Sequence, residues 1–231
     1  MYTKNNNVFL EGVVLEEATY SHVKSHETFY QIKLGVARLS GEVDKIPVLI
    51  SENTYDVFSI RAGQWLSIKG QYRSYNKWDN EGPHLILSVY AYKIKESEIQ
   101  EYDNRIYMNG YVCKQTIWRK TPLGKEITDV LVATNRPLGK SDYIPCICWG
   151  RDARAAAGFS IGTRIKIVGR IQSREYVKQY VDREADRKIA YEVSVSKISL
   201  RGTPNQCDRC RKRCGGIYPS QLPKADQHKS R

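Results

Sequence analysis

Tyr143-Ile-Pro-Cys-Ile-Cys-Trp149-Gly-Arg151-Asp-Ala-Arg154-Ala-Ala-Ala-Gly158, continued by Phe-Ser-Ile-Gly162-Thr-Arg-Ile-Lys166-Ile-Val-Gly169-Arg170, holds the key to the 231-residue sequence. A short apolar segment that opens it predicts a buried strand over residues 144–149. The alanine-rich turn over residues 151–157 predicts a helix, with Gly158 as its C-cap. Ile165, Ile167 and Gly169 alternate at period two and predict another strand.

Working outward, the same landmarks occur earlier in the chain. Ile46-Pro-Val-Leu-Ile50 precedes Ile144-Pro-Cys-Ile-Cys148 by 98 residues, and Gly12 precedes Gly110 by the same step. Gly63 and Gly70 return as Gly162 and Gly169 after 99 residues, and Lys93-Ile94 returns as Lys197-Ile198 after 104. Ordered landmarks at nearly constant offsets predict two tandem copies of one domain, joined near residues 96–104.

Each copy reads as a first strand (8–15; 106–113), a polar loop, a second strand (29–39; 127–134) and a short apolar third (46–50; 144–149). A short helix, a fourth strand (65–70; 165–169), a polar loop and a last strand (85–92; 190–198) follow. Five strands with a helix between the third and fourth is the plan of an all-β OB-fold barrel. Gly12, Gly70, Gly110 and Gly169 fit bends or bulges at barrel corners. The expected organisation is a divergent OB-fold over residues 1–98, a second over 99–201 and a basic tail over 202–231.

Charge separates the copies. Lys and Arg number 37 against 25 Asp and Glu, a net charge of +12. Residues 1–98 carry 11 basic against 12 acidic side chains, residues 99–199 carry 18 against 11, and residues 200–231 carry 8 against 2. The excess favours an anionic partner, placed by this distribution in the second copy and the tail. A solvated basic surface is the plainer alternative. No apolar run approaches the roughly 20 residues a membrane helix needs. The polar start at Met1–Asn7 predicts no secretory signal, so the six cysteines read as thiols of a reducing, cytoplasmic compartment.

The second copy resembles the bacterial single-stranded DNA-binding proteins. The resemblance runs through Asn104-Arg105-Ile106, Gly110, Val112, Thr121-Pro-Leu-Gly124, Leu131-Val-Ala-Thr134 and the stretch from Tyr143 to Arg151. It continues through Ala153, Ala156-Ala157, Gly162, Ile167, Gly169-Arg170-Ile171, Ser173-Arg174 and Tyr176. The first copy resembles the family more faintly, through Asn7-Val8, Gly12, Gly63, Ile68, Gly70 and Tyr72–Ser74.

The resemblance implies sequence-independent binding of single-stranded DNA, for its protection in replication, recombination or repair. Bases would stack on Tyr143, Trp149 and Tyr176. Each of these aromatics alone reads equally well as an ordinary core residue. Tyr143 and Trp149 lie six apart on one strand, so they share a face about 20 Å long. Arg105, Arg119, Lys120, Arg151, Arg154, Lys166, Arg170, Arg174 and Lys178 are candidate phosphate contacts; singly, each is as well explained as a surface charge. The acids Glu175, Asp182, Glu184 and Asp186 oppose the assignment of residues 174–188 as a loop that embraces DNA. In the first copy Ser51 stands for Trp149, Asn53 for Arg151 and Lys45 for Tyr143, which suits a structural or assembly role, although Tyr75 and Trp78 could supply stacking. A tandem pair can stand for two family subunits, so a homodimer with four barrels is expected.

The family's acidic C-terminal tip, which recruits protein partners, has no counterpart in the basic end Lys224–Arg231. The tail instead holds Cys207, Cys210 and Cys214, three thiolates spaced for one zinc, with His228 as a candidate fourth ligand; reactive or incidental thiols are the alternative. Cys113, Cys146 and Cys148 read as small core residues. His22 and His26 have ligand spacing but lie in a predicted loop without a carboxylate partner. No catalytic motif is present, so no enzymatic activity is expected. An OB-fold scaffold in a replication-restart or mobile-element complex, with secondary DNA or RNA contact, is the alternative reading.

Overall fold

The computed structural model describes residues 5–79, 82–178 and 186–200. Five strands close the first barrel: β1 (Asn6–Lys24), β2 (Glu27–Ala37), β3 (Val43–Ser51), β4 (Trp65–Asp79) and β5 (Gly82–Glu96). Neighbours pair antiparallel except β3 with β5, whose parallel ladder completes the closure. The second barrel repeats this with β6 (Asp103–Val112), β8 (Glu126–Asn135), β9 (Ser141–Trp149), β10 (Arg164–Lys178) and β11 (Asp186–Leu200). A short β7 (Ile117–Lys120) pairs with β8. The fold is the expected pair of OB-type barrels.

The helix α1 (Gly150–Ala157) ends at Gly158, whose backbone N–H donates to the carbonyls of Ala155 and Ala156. It plugs the barrel end with Ala153 and Ala156, both fully buried. The first barrel has at the corresponding place only a 3-10 turn, Val57–Ser59, in which Asp56 accepts from the Phe58 N–H. The helix expected in both copies therefore forms in one: Val57-Phe58-Ser59 lacks the alanine run that favours it.

Three segments read as polar loops are β-hairpin arms. β1 and β2 continue as a ladder to Lys24 and Glu27, which places His22 in a strand, stacked 5.0 Å from the Phe29 ring. The ladder of β4 and β5 runs to Asp79 and Gly82, and that of β10 and β11 to Lys178 and Asp186. The described residues toward the ends of these arms are mostly exposed or half-buried, so polar side chains interrupt the alternating pattern.

Gly70 and Gly169 sit where the registers of the β4–β5 and β10–β11 ladders shift, at the expected bulges. Both lie against the neighbouring strand. A Cβ on Gly70 would stand 2.6 Å from the Tyr90 carbonyl oxygen and 2.7 Å from Val89 Cγ1. Gly70→Ala is accordingly expected to cost about 1–3 kcal/mol by overpacking. Urea unfolding checks it; an unchanged midpoint would show that the bulge yields without strain.

The barrels are joined edge to edge. β1 and β6 pair antiparallel, with Asn6 opposite Met108, Val8 opposite Ile106 and Leu10 opposite Asn104. At the repeat offset of 98, Val8 is its partner's own counterpart, and the flanking pairs exchange places. The junction is therefore the self-complementary contact of a two-fold pair, built within one chain. β5, β4, β1, β6, β10 and β11 form one continuous sheet. The interiors of the two barrels form one hydrophobic cluster, which contains Val8, Leu10, Ile106 and Met108.

Polar groups repeat the symmetry. Asn6 exchanges hydrogen bonds with the backbone of Tyr72 at 2.6 and 3.0 Å, and Asn104 does the same with Ile171 at 2.7 and 2.9 Å. Across the junction, the Ser173 N–H donates to Asp44 at 2.6 Å and the Ser74 N–H donates to Asp142 at 2.6 Å. Arg38 holds Asp44 at 2.5 Å and donates to the Ser173 carbonyl at 2.9 Å; Arg136 pairs with Asp142 and donates to the Ser74 carbonyl at 2.8 Å. Each buried aspartate of one barrel thus grips the fourth strand of the other.

Candidate nucleic-acid interface

On β9 the side chains divide as the alternation predicts. Ile144, Cys146 and Cys148 enter the core, while Tyr143, Pro145, Ile147 and Trp149 share the outer face. Cys113, Cys146 and Cys148 are buried thiols. Burial pushes the Cys148 thiol up to about 12, so it behaves as an apolar group.

The outer face of β8 and β9 is the floor of a groove, with Leu131, Pro145 and Ile147 at its base. The β10–β11 arm forms one wall through Tyr176, Ile189 and Tyr191, and Leu85 and Leu87 of the first barrel's β4–β5 arm reach across to line it as well. Trp78 lies in register with Pro83 and two pairs along from Leu85, so it shares the arm face that carries Leu85 and Leu87. It is 66% exposed.

The three predicted stacking residues occupy different settings. Trp149, 37% exposed, stands at the end of β9 and donates its indole N–H to Ser194 Oγ at 3.2 Å. Tyr176 lines the groove. Tyr143 packs on Cys113, Leu131 and Ala133, and its backbone N–H donates to Ser74 Oγ at 2.8 Å, which ties it to the barrel junction.

The nine candidate cations divide. Arg170 pairs with Ser194, the acceptor of the Trp149 indole, so Arg170 and Trp149 flank one strand. Arg119 is held by Asp129 at 2.8 Å in the groove wall. Lys120 lies 6.0 Å from the centre of the exposed Trp118 ring. On α1, Arg151 is almost wholly exposed and Arg154 pairs with Glu126 at 3.1 Å. Arg174 is exposed at the base of the β10–β11 arm, beside Ser173 of the junction. Arg105 and Lys166 project instead from the outer face of the β6–β10 sheet, where Arg105 is held by Asp103 at 2.5 Å; that hydrogen bond holds the Arg105 pKa above its usual value. Lys178 ends β10 and its side chain lies outside the described residues. So do Cys207, Cys210, Cys214 and His228. Among the described residues no group of three His, Cys, Asp or Glu side chains is placed to hold a metal ion.

Sequence reasoning passed over Trp118, Leu85, Leu87, Tyr191 and Glu192. Trp118 was legible, since it precedes Arg119 and Lys120 in one strand. Leu85 and Leu87 depend on an arm crossing between barrels, which no local pattern records. Glu192 is buried in the groove wall. Burial pushes its carboxyl up, against the pull of Arg174, Arg119 and Arg38. In the first barrel, Ser51, at the place of Trp149, is fully buried and bonded to Glu27. Position 51 itself thus offers no ring.

Comparisons with known proteins agree with this geometry. Residues 103–200 match the model of the single-strand binding protein family. The chain is 30% identical over 105 residues to a single-stranded DNA-binding protein of Oceanobacillus iheyensis, a match covering 42% of this chain and 62% of that protein. It is 31% identical over 104 residues to single-stranded DNA-binding protein A of Bacillus subtilis, covering 42% of the chain and 58% of the relative. Less than two thirds of each of these relatives is thus matched. Both barrels superpose on the wild-type single-stranded DNA-binding protein of Thermus aquaticus with a TM-score of 0.65 at 18% identity, covering 89% of this chain and 98% of that one. That likeness shows the fold. Residues 103–200, the barrel whose groove is floored by the outer face of β8 and β9, are thus the part of the chain that is similar to the single-strand binding protein family.

Proposed function

We propose that the chain binds single-stranded DNA without regard to sequence and shields it during replication, recombination or repair. The observation that carries this reading is the aromatic and apolar outer face of β9, which lines a groove, ends in the exposed Trp149, is walled by Tyr176 and is flanked by Arg170. Bases stack on rings of any sequence context because every base has a π-face, and phosphates are neutralised by lysines and arginines. The first barrel serves as a fused partner subunit: it supplies the clamp and an arm, and its own β3 face lacks the exposed tryptophan. Two chains would assemble to four barrels, which light scattering of the full chain reads directly.

The test is quenching of tryptophan fluorescence on titration with oligo-dT and with duplex of equal length, at low and moderate salt. Strong quenching by the single strand that persists at moderate salt is expected. Equal quenching by both, erased by salt, would leave only unspecific charge attraction and overturn the reading.

A further inference from the structure

The groove wall holds an acid that the fold leaves without a partner. Glu192 of β11 is 4% exposed. Val193 and Val195 enter the core, so Glu192 and Ser194 share the opposite face of the strand, and Glu192 lines the groove. Among the described residues its carboxylate makes no hydrogen bond and has no basic nitrogen within 4.0 Å. A carboxylate taken out of water without donors is costly. The surrounding charges do not relieve it. Arg119 of β7 gives two hydrogen bonds to Asp129 of β8, at 2.8 and 3.2 Å. Arg38 of β2 is held by Asp44 at 2.5 Å. On β10 the residue opposite Glu192 is the uncharged Gln172, and Arg174 lies two residues along, opposite Ala190. The nearby face of β9 offers Pro145 and Ile147, and Lys114 stands elsewhere along the groove. Burial keeps Tyr72, Cys146 and Tyr191 protonated into alkaline solution.

We propose that Glu192 reads one base of the bound strand and favours guanine there. The inference rests on single-strand binding by the groove and adds one selective position to a path otherwise blind to sequence. Ser194 accepts the Trp149 indole N–H, and Glu192 is two residues away, about 7 Å along β11. A base adjoining the one stacked on Trp149 therefore reaches the carboxylate. Apolar side chains around it (Leu87, Pro145, Ile147) suit the faces of a base and leave its edge to hydrogen-bond. In a single strand the Watson–Crick edge is free. An ionised carboxylate only accepts, through two oxygens. Guanine offers two adjacent donors, N1–H and the N2 amine, which meet both oxygens as a bidentate, charge-assisted pair. Cytosine and adenine set an amine beside a ring-nitrogen acceptor, and thymine sets one N–H between two carbonyls. Each of these turns a lone pair toward the carboxylate. A protonated acid, or a glutamine, has one donor and one acceptor and can satisfy any base, so the preference requires the charge. Burial holds the Glu192 carboxyl above its usual pKa, against Arg174, Arg119 and Arg38 and together with Asp129. Guanine selects the ionised form. Its advantage is therefore full above that raised pKa and fades as the pH falls through it.

The experiment uses the full chain and dT strands of about 16 nucleotides that carry one central dG, dA, dC or deoxyinosine. They compete with labelled oligo-dT over a pH series, read by anisotropy, for the parent and for Glu192→Gln. In mildly alkaline solution the dG strand is expected to compete about tenfold better than plain dT, within the range a bidentate base contact discriminates. Inosine, which lacks the N2 amine, is expected to lose most of that gain. Glu192→Gln is expected to bind all strands alike at every pH, with the parent's thermal melt and tryptophan quenching. A parent without guanine preference at any pH would overturn the proposal, as would a glutamine variant that keeps it. Equal tightening of every strand by Glu192→Gln would also overturn it, because the carboxylate would then only repel phosphate. The groove reading survives each of these results as long as oligo-dT quenches the parent. Absence of that quenching would remove both. If the variant does not fold, the inosine exchange and the pH series on the parent decide alone.

Discussion

Asp142→Ala is expected to lower the stability of the whole chain by about 3–5 kcal/mol, the usual cost of leaving a buried charge without its partner. The carboxylate is 1% exposed. It receives Arg73 at 3.1 Å, Arg136 Nε at 2.6 Å and the Ser74 N–H at 2.6 Å. Alanine would strand two guanidinium groups that are themselves mostly buried, and one backbone donor. The loss would fall on the contact between barrels, because Ser74 and Arg73 belong to the first barrel and Asp142 to the second. Asp44→Ala, which removes one arginine contact and the Ser173 N–H, is expected to cost less. Urea unfolding followed by circular dichroism measures both. A loss under about 1 kcal/mol for Asp142→Ala would mean that water replaces the carboxylate and that the junction is held by apolar contact alone. A pair of separate transitions in the variant, where the parent has one, would show that the clamp makes the barrels unfold together.

The clamp also shows what a single sequence displays and what it hides. The barrels were legible because their interior obeys period two: Ile144, Cys146 and Cys148 point inward and Tyr143, Pro145 and Ile147 outward, as alternation requires. The helix was legible from its alanines and Gly158. The arms were not, because polar residues such as Ser21, Lys24, Asn76 and Lys77 interrupt the alternation, and such a ladder resembles a loop in sequence. The junction left a trace that charge counting overlooked. Arg38 and Asp44 return as Arg136 and Asp142 at the same offset of 98 residues as the core landmarks. Charged residues that repeat in step with core positions are not interchangeable surface groups. Among the site residues, the shared face of Tyr143 and Trp149 followed from strand geometry. The separation of Arg105 and Lys166 from Trp149 did not, because it depends on how a curved sheet turns its outer side, and sequence distance carries no such information.

Trp149→Ala combined with Tyr176→Ala is expected to weaken single-strand binding by about 2–6 kcal/mol, taking the roughly 1–3 kcal/mol per base typical of stacking on proteins of this kind. The pair is chosen from the three predicted rings because neither supports the fold. Trp149 is 37% exposed and contributes one hydrogen bond to Ser194, and Tyr176 lies near the end of a projecting arm. Tyr143 differs: it packs on Cys113, Leu131 and Ala133, so its removal would mix a packing defect with any lost stacking. The double variant should therefore melt close to the parent while its affinity falls by a factor of at least about 30. Stacking is also less sensitive to salt than phosphate contact. The salt slope should stay near the parent's value while the intercept drops, the converse of what loss of phosphate-binding cations would do. Anisotropy with labelled oligo-dT at several salt concentrations separates the two. If affinity survives in the folded double variant, the apolar floor of Leu131, Pro145 and Ile147 is not where bases sit, and binding by the domain is carried by its cations.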